Sequence, residues 1–309
     1  MVILTEKSLN NCNFSDEIEI VKVDKKTIEK FNNNEEVVAI AGSRATAIKV
    51  ANMNFPSLKI FQLTSAGFDN VPLEAFKEKG VYLCNAGSTY SIPIAETVVF
   101  SMLFVAKKLR KNANNRRFKF LRHYKEIEEL AGKRVLIMGA GNIGTAIAER
   151  LGSFLVKLDA YDPYCPKKNI FENILRNRKE LIEKINNYDY VVSTMPFNEE
   201  TKDFINAEIF NSMKKTATIV NVGRKAVFCD KDFYIALKKK KIKGAVLDMF
   251  EKIPNPITNK YRRLKNVVVL PGVSAISKEV NDRLKNHIYK NLDNVLKGDK
   301  PFNVINGVK

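Results

Sequence analysis

Gly139-Ala140-Gly141-Asn142-Ile143-Gly144 is the most chemically suggestive run in the chain. Glycines at this spacing let the backbone turn tightly and bring N–H groups against a pyrophosphate, and a helix N-terminus adds partial positive charge. Alone, the run would say little. Here Arg134-Val135-Leu136-Ile137-Met138 before it reads as a strand, and residues 143–151 after it read as an amphipathic helix. Asp162 ends the next strand, residues 155–161, and stands 23 positions past Gly139. A carboxylate there accepts hydrogen bonds from adenosine ribose hydroxyls and repels a 2′-phosphate. Motif, context and acid together predict a dinucleotide site for NAD rather than NADP.

Little else suggests metal or thiol chemistry. There are two histidines, His123 and His287, and four cysteines at 12, 84, 165 and 229, with no CxxC among them. The thiols read as reduced and no metal is expected; Cys229 reads as packing filler. The net charge of +18 suits acidic small molecules or nucleic acid. The sharpest basic run, Lys238-Lys239-Lys240-Lys241, closes a helix-like stretch where cations favour the negative dipole end. No basic stripe is interleaved with aromatics, so nucleic acid is not an expected partner. No apolar run approaches the roughly 20 residues of a membrane span. Met1-Val2-Ile3-Leu4 is too short for a signal-peptide core, and a cytoplasmic location is expected.

These residues need a scaffold. At 309 residues the chain exceeds what one hydrophobic core usually supports, which predicts two domains. With 45% hydrophobic and 28% charged residues it has the composition of an ordered globular chain. Strands are predicted at 37–40, 58–63 and 81–84, with a helix opening at Pro72. Residues 93–109 form an apolar helix, buried against two surfaces, and 110–124 a polar, basic arm. Beyond the glycine run, strands at 190–193, 218–221, 245–247 and 267–270 alternate with helices, and a final helix covers 278–296. Alternation of this kind argues for parallel sheets. About 130 residues precede the glycine run, which suggests a nucleotide domain, 99–277, inserted into a second domain made of 1–98 and 278–309.

Several segments, in register from about residue 37 to 280, resemble the D-2-hydroxyacid dehydrogenases. They are Ser65-Ala66-Gly67-Phe68-Asp69-Asn70-Val71, Ile94-Ala95-Glu96, the glycine run with Tyr161-Asp162-Pro163, Ser193-Thr194-Met195-Pro196 with Thr201, Asn221-Val222-Gly223-Arg224, and Gly244-Ala245-Val246-Leu247-Asp248-Met249-Phe250-Glu251. The resemblance implies an α/β fold: a Rossmann domain inserted into a flavodoxin-like substrate domain. It implies NAD as cofactor, a small anionic 2-oxo or 2-hydroxy acid as substrate, and a homodimer formed through residues 99–120. The backbone around Ala66 and Gly67 would hold the substrate carboxylate. Arg224 would bind that carboxylate and polarise the carbonyl, a task its forked guanidinium suits better than an ammonium would. Asp248 would hold the nicotinamide carboxamide. Asn142, Ile143, Pro163, Met195, Pro196, Thr201, Val222 and Gly223 would complete the cofactor site with Gly139, Gly141, Gly144 and Asp162.

The chain departs from the family at its acid. Ile253 stands before Pro254 where the family has Glu, and Gly272 follows Pro271 where it has the proton-donating His. Glu251, two residues early, is a weak substitute. A general acid contributes about 10²–10⁴-fold, or roughly 3–5 kcal/mol, so its loss slows turnover without abolishing it. Tyr90 is the foremost replacement; His123 and His287 read as surface residues, Lys225 could supply charge or point to solvent, and a water could serve. Three readings stay open: an NAD-dependent dehydrogenase with a nonstandard proton source, a non-catalytic NAD(H)-binding sensor or interaction protein, and a basic nucleic-acid binder. The retained anion-binding residues favour the first.

Overall fold

The computed structural model describes residues 1–9, 12, 14–112, 126–248 and 260–308. The chain begins with β1 (Val2–Thr5), β2 (Glu19–Lys22) and β3 (Val37–Gly42), then α1 (Arg44–Ala51), β4 (Ile60–Leu63), α2 (Leu73–Glu78) and β5 (Tyr82–Cys84). These strands form one sheet, ordered β2-β1-β3-β4-β5, with every pairing parallel. That is the flavodoxin-like order. All residues of β1, β3 and β4 are buried, so these strands read as continuous apolar runs with no alternation. β2 is an exposed edge, guarded by Glu19 and Lys22.

The chain then enters a second unit: α3 (Ser91–Ala106), α4 (Leu109–Asn112), β6 (Arg134–Met138), α5 (Asn142–Gly152), β7 (Lys157–Tyr161), β8 (Asn173–Leu175), α6 (Arg178–Lys184), β9 (Tyr190–Ser193), α7 (Ala207–Ser212), β10 (Thr218–Asn221), α8 (Asp230–Lys238), β11 (Gly244–Leu247) and β12 (Val267–Val269). Its seven parallel strands are ordered β12-β11-β10-β9-β6-β7-β8. This is the doubly wound Rossmann arrangement, whose order reverses between β6 and β9.

α9 (Lys278–Lys297) returns to the first unit. Leu284, Ile288 and Leu292, spaced by one helical turn, bury against Ile3, Ala39 and Ile60 of the sheet. α1 and α2 cover the other face through Ala47, Val50 and Phe76. Gly298, at φ +88°, ends the helix in the left-handed conformation that costs glycine nothing.

The two compact units are residues 1–90 with 277–309, and residues 91–276. The first division falls at 90/91 rather than after 98, because α3 runs unbroken from Ser91 and packs on α5. Residues 87–106 correct one expectation: these 20 residues, with mean hydropathy 1.5, are long and apolar enough by composition to cross a membrane. Half of them are buried within the protein, and a helix that packs on two sides has no need of a polar face.

Candidate functional site

In the second unit the strands end flush. Met138 lies level with Tyr161 on one side and Ser193 on the other; Ser193 pairs with Asn221, and Asn221 with Leu247. The next residue of each strand therefore emerges on one edge: Gly139, Asp162, Thr194, Val222 and Asp248. The strand order reverses between β6 and β9 at that edge, the usual ligand position in open parallel sheets.

The three glycines do different work. Gly139 has φ +101°, and a Cβ there would lie 2.6 Å from Thr194 Oγ1. A Cβ on Gly144 would lie 2.0 Å from the Gly139 carbonyl oxygen, so the start of α5 can sit against the turn only without a side chain. Around Gly141, by contrast, no atom lies within 4 Å of where a Cβ would be. Gly141 is the N-cap of α5 and contributes no side-chain cap, and the next residue, Asn142, is exposed. The first-turn N–H groups of a helix lack intrahelical partners, so the clear space at Gly141 is a cradle a pyrophosphate fits. Ile143 is half-buried beneath it.

Asp162 is half-buried. It accepts hydrogen bonds from the backbone N–H of Ala140 (2.9 Å), Tyr164 (3.0 Å) and Cys165 (2.9 Å), and so ties the turn after β7 to the glycine run. Two cations flank it. Lys168 Nζ reaches the Ala140 carbonyl and Thr145 Oγ1, each at 2.7 Å. Arg176 donates to the carbonyls of Asp162, at 3.0 Å, and Cys165. Pro163 is exposed at this rim.

Beyond β9, Thr194 Oγ1 donates to the Gly139 carbonyl at 2.9 Å, and buried Met195 packs backbone to backbone with Gly223, whose Cβ would come within 2.9 Å of the Met195 carbonyl oxygen. Thr201 closes the following turn, accepting from Asn198 N and donating to the Pro196 carbonyl, both at 2.8 Å. Val222 and Gly223 both donate to the Ser193 carbonyl at 3.1 Å. Arg224 follows, half-buried, as the residue before a 3-10 turn. Lys225 forms an ion pair at 3.4 Å with Asp230, the first residue of α8.

Two of the expected site residues spend their polar groups within the chain. Asp248 is 1% exposed, and its carboxylate is filled by its own chain. Oδ1 accepts from Gly272 N (2.7 Å) and Val273 N (3.1 Å); Oδ2 accepts from Ser274 N (3.0 Å) and the Ser274 hydroxyl. A carboxylate offers about four lone-pair directions, and four donors from its own chain meet them at Asp248. Gly272, in place of the expected His, has φ +74°, a conformation that L side chains rarely adopt.

The other lies in the first unit. The Tyr90 hydroxyl donates at 2.6 Å to the Thr64 carbonyl, and burial pushes the phenol pKa up; this proton is held inward. His287 is not a free surface residue either: it is half-buried and Nε2 bonds the Asn85 carbonyl at 3.0 Å. The turn carrying Ala66 and Gly67 has four consecutive bonded carbonyls. Thr64 accepts from Tyr90, Ser65 from Ala86 N (3.0 Å), Ala66 from Asn85 Nδ2 (2.8 Å) and Gly67 from Ser65 Oγ (2.8 Å). Among the described residues, the N–H groups of Ser65, Ala66 and Gly67 donate to nothing. Successive free amides on a turn form an anion-binding concavity. Asn85 was missed in the sequence, although Asn two positions before Gly87 is an Asx-turn signal, and the structure shows that turn at 3.2 Å. His123, Glu251, Ile253 and Pro254 lie outside the described residues.

The profile described as "D-isomer specific 2-hydroxyacid dehydrogenase, NAD binding domain" matches residues 99–274. The chain is 31% identical, over 90% of its length, to a D-3-phosphoglycerate dehydrogenase of Methanocaldococcus jannaschii, of which it covers 53% and so spans about half. It is 30% identical to a glyoxylate reductase of Thermofilum pendens, over 81% of this chain and 76% of that one. Among solved structures, the PH0520 protein of Pyrococcus horikoshii is similar over 99% of this chain and 95% of its own, with a TM-score of 0.81 and 26% identity.

Proposed function

Since this chain belongs to the D-isomer specific 2-hydroxyacid dehydrogenase family, we propose that it interconverts a small anionic 2-oxo acid and its 2-hydroxy acid with NAD(H). The observation that carries this reading is the Ser65–Gly67 turn, whose three amides are free while four successive carbonyls from residue 64 onward are bonded. A protein that only sensed a nucleotide would have no use for a second anion site in its other unit.

When bound, the cofactor supplies or accepts the hydride. The start of α5, cleared by Gly141, holds its pyrophosphate. Asp162 faces the adenosine ribose and disfavours a 2′-phosphate; Lys168 and Arg176, the cations able to reverse that preference, are spent on backbone carbonyls. Ala66 and Gly67 take the carboxylate of the acid. In the second unit Arg224 polarises a carbonyl oxygen and stabilises the alkoxide that forms as hydride arrives. Among the described residues Gly272 offers no proton, Tyr90 is bonded inward and Lys225 is ion-paired, so this reading takes the proton from water.

A second reading, a non-catalytic NAD(H)-binding relative, is favoured by the filled carboxylate of Asp248. Purified protein with NADH and a panel of 2-oxo acids separates the two. Turnover that falls about a hundredfold or more in Arg224→Ala supports the dehydrogenase. NAD binding by thermal shift without turnover on any acid supports the second reading, and absence of NAD binding overturns both.

A further inference from the structure

His287 sits on α9, on the side of the helix that faces the end of β5, and its Nε2 lies 3.0 Å from the Asn85 carbonyl. A carbonyl only accepts, so Nε2 carries the proton. Burial pushes the imidazole pKa down, so the ring is neutral in neutral solution and donates through that one nitrogen. The Phe302 ring lies nearby, 6.4 Å between centroids.

Asn85 relays this contact. Its carbonyl is held by His287 and its N–H by the Asn303 carbonyl at 3.2 Å. Its side-chain amide is oriented by its partners: Oδ1 accepts from Gly87 N, and Nδ2 donates to the Ala66 carbonyl at 2.8 Å. Turning the Ala66 carbonyl inward directs the following N–H, that of Gly67, away from the bonded side. Tyr90 does the same one step earlier through Thr64. The backbone on which the anion site depends is therefore clamped from behind by side chains that touch no substrate.

We propose that His287 is a positioning residue which, through Asn85, holds the Ser65–Gly67 turn with its amides presented to the substrate carboxylate. This rests on the dehydrogenase reading above for the identity of the anion, but the clamp itself does not. Pre-organised donors avoid the cost of reorienting backbone at the moment of binding. A clamp of one part-buried hydrogen bond corresponds to about a threefold to tenfold effect on affinity.

The test uses the full chain with His287→Ala, His287→Gln and Tyr90→Phe. In His287→Ala, KM for the 2-oxo acid should rise about threefold to tenfold, with KM for NADH unchanged. Amide hydrogen exchange at Ala86 and Gly87 should quicken while that of Leu292, further along α9, stays as in the wild type. Gln keeps a donor and should recover part of both effects; Tyr90→Phe should raise KM for the acid alone. Unchanged KM for the acid in His287→Ala overturns the proposal. So does a parallel rise in KM for both substrates with faster exchange throughout α9, which would make His287 a packing residue. If the wild type turns over no 2-oxo acid, the dehydrogenase reading falls, and exchange at Ala86 and Gly87 alone decides the clamp: unchanged rates overturn it.

Discussion

Gly141 and Gly144 share a motif and have opposite reasons for being glycine, and substitution separates them. Gly144→Ala puts a methyl 2.0 Å from the Gly139 carbonyl oxygen, so α5 or the turn must move. Gly141→Ala meets no protein atom within 4 Å. Gly144→Ala is therefore expected to lower both thermal stability and NAD affinity. Gly141→Ala should leave the melting temperature within about a degree of wild type, a surface-type change of under ~0.5 kcal/mol, yet weaken NAD binding at least tenfold, as calorimetry would show. At the same scale, His287 makes a pH prediction. Burial holds its pKa below the ordinary 6.5, so as pH falls the unfolded chain takes up this proton before the folded one does. Stability then rises with pH across that window. The His287 contribution is intact above about 6.5 and is lost as pH falls towards the depressed folded value. Urea midpoints measured from pH 7.5 down to 5 should show this loss in wild type and less of it in His287→Gln.

Among the elements, the end of β11 and the segment after β12 are joined by a single side chain. Asp248 gathers the N–H groups of Gly272, Val273 and Ser274, together with the Ser274 hydroxyl, in a site 1% exposed. Asn in its place keeps the shape but offers an amide nitrogen where two donors already point. Asp248→Asn is expected to cost about 1–3 kcal/mol, the penalty for leaving buried donors unpaired, seen as a lower denaturation midpoint at unchanged m-value. The same contacts explain why Gly272 is more than a missing histidine: its N–H is one of the four donors, and its φ of +74° sets the direction of the segment. α9 shows the converse case, an element secured by apolar spacing. Leu284, Ile288 and Leu292 fix its face on the sheet, and that face brings His287 to Asn85.

At the scale of the molecule, residues 91–276 are one continuous segment with a complete seven-stranded sheet and a core of their own, running from Leu136 to Val267. Expressed alone, this segment is expected to fold and to retain NAD affinity within a few-fold of the full chain while losing all 2-oxo acid turnover. Loss of NAD binding by a folded segment would show that residues outside it complete the cofactor site. By itself the sequence determined the α/β class, the parallel strands, the glycine run with Asp162, and the family, because these depend on local order: apolar runs between turn residues, and motifs a few residues long. It left out β1, β2 and β8; β2 and β8 are edge strands whose exposed positions carry Glu19, Lys22 and Asn173 instead of an apolar run. It could not name the hydrogen-bond partners of His287, Tyr90 or Asp248. Only the tertiary structure decided those, since the partners of His287 and Asp248 lie 202 and 24 or more positions away and that of Tyr90 lies 26. The direction in which a polar side chain spends its hydrogen bonds is set by what folding brings opposite it, and no local pattern records that.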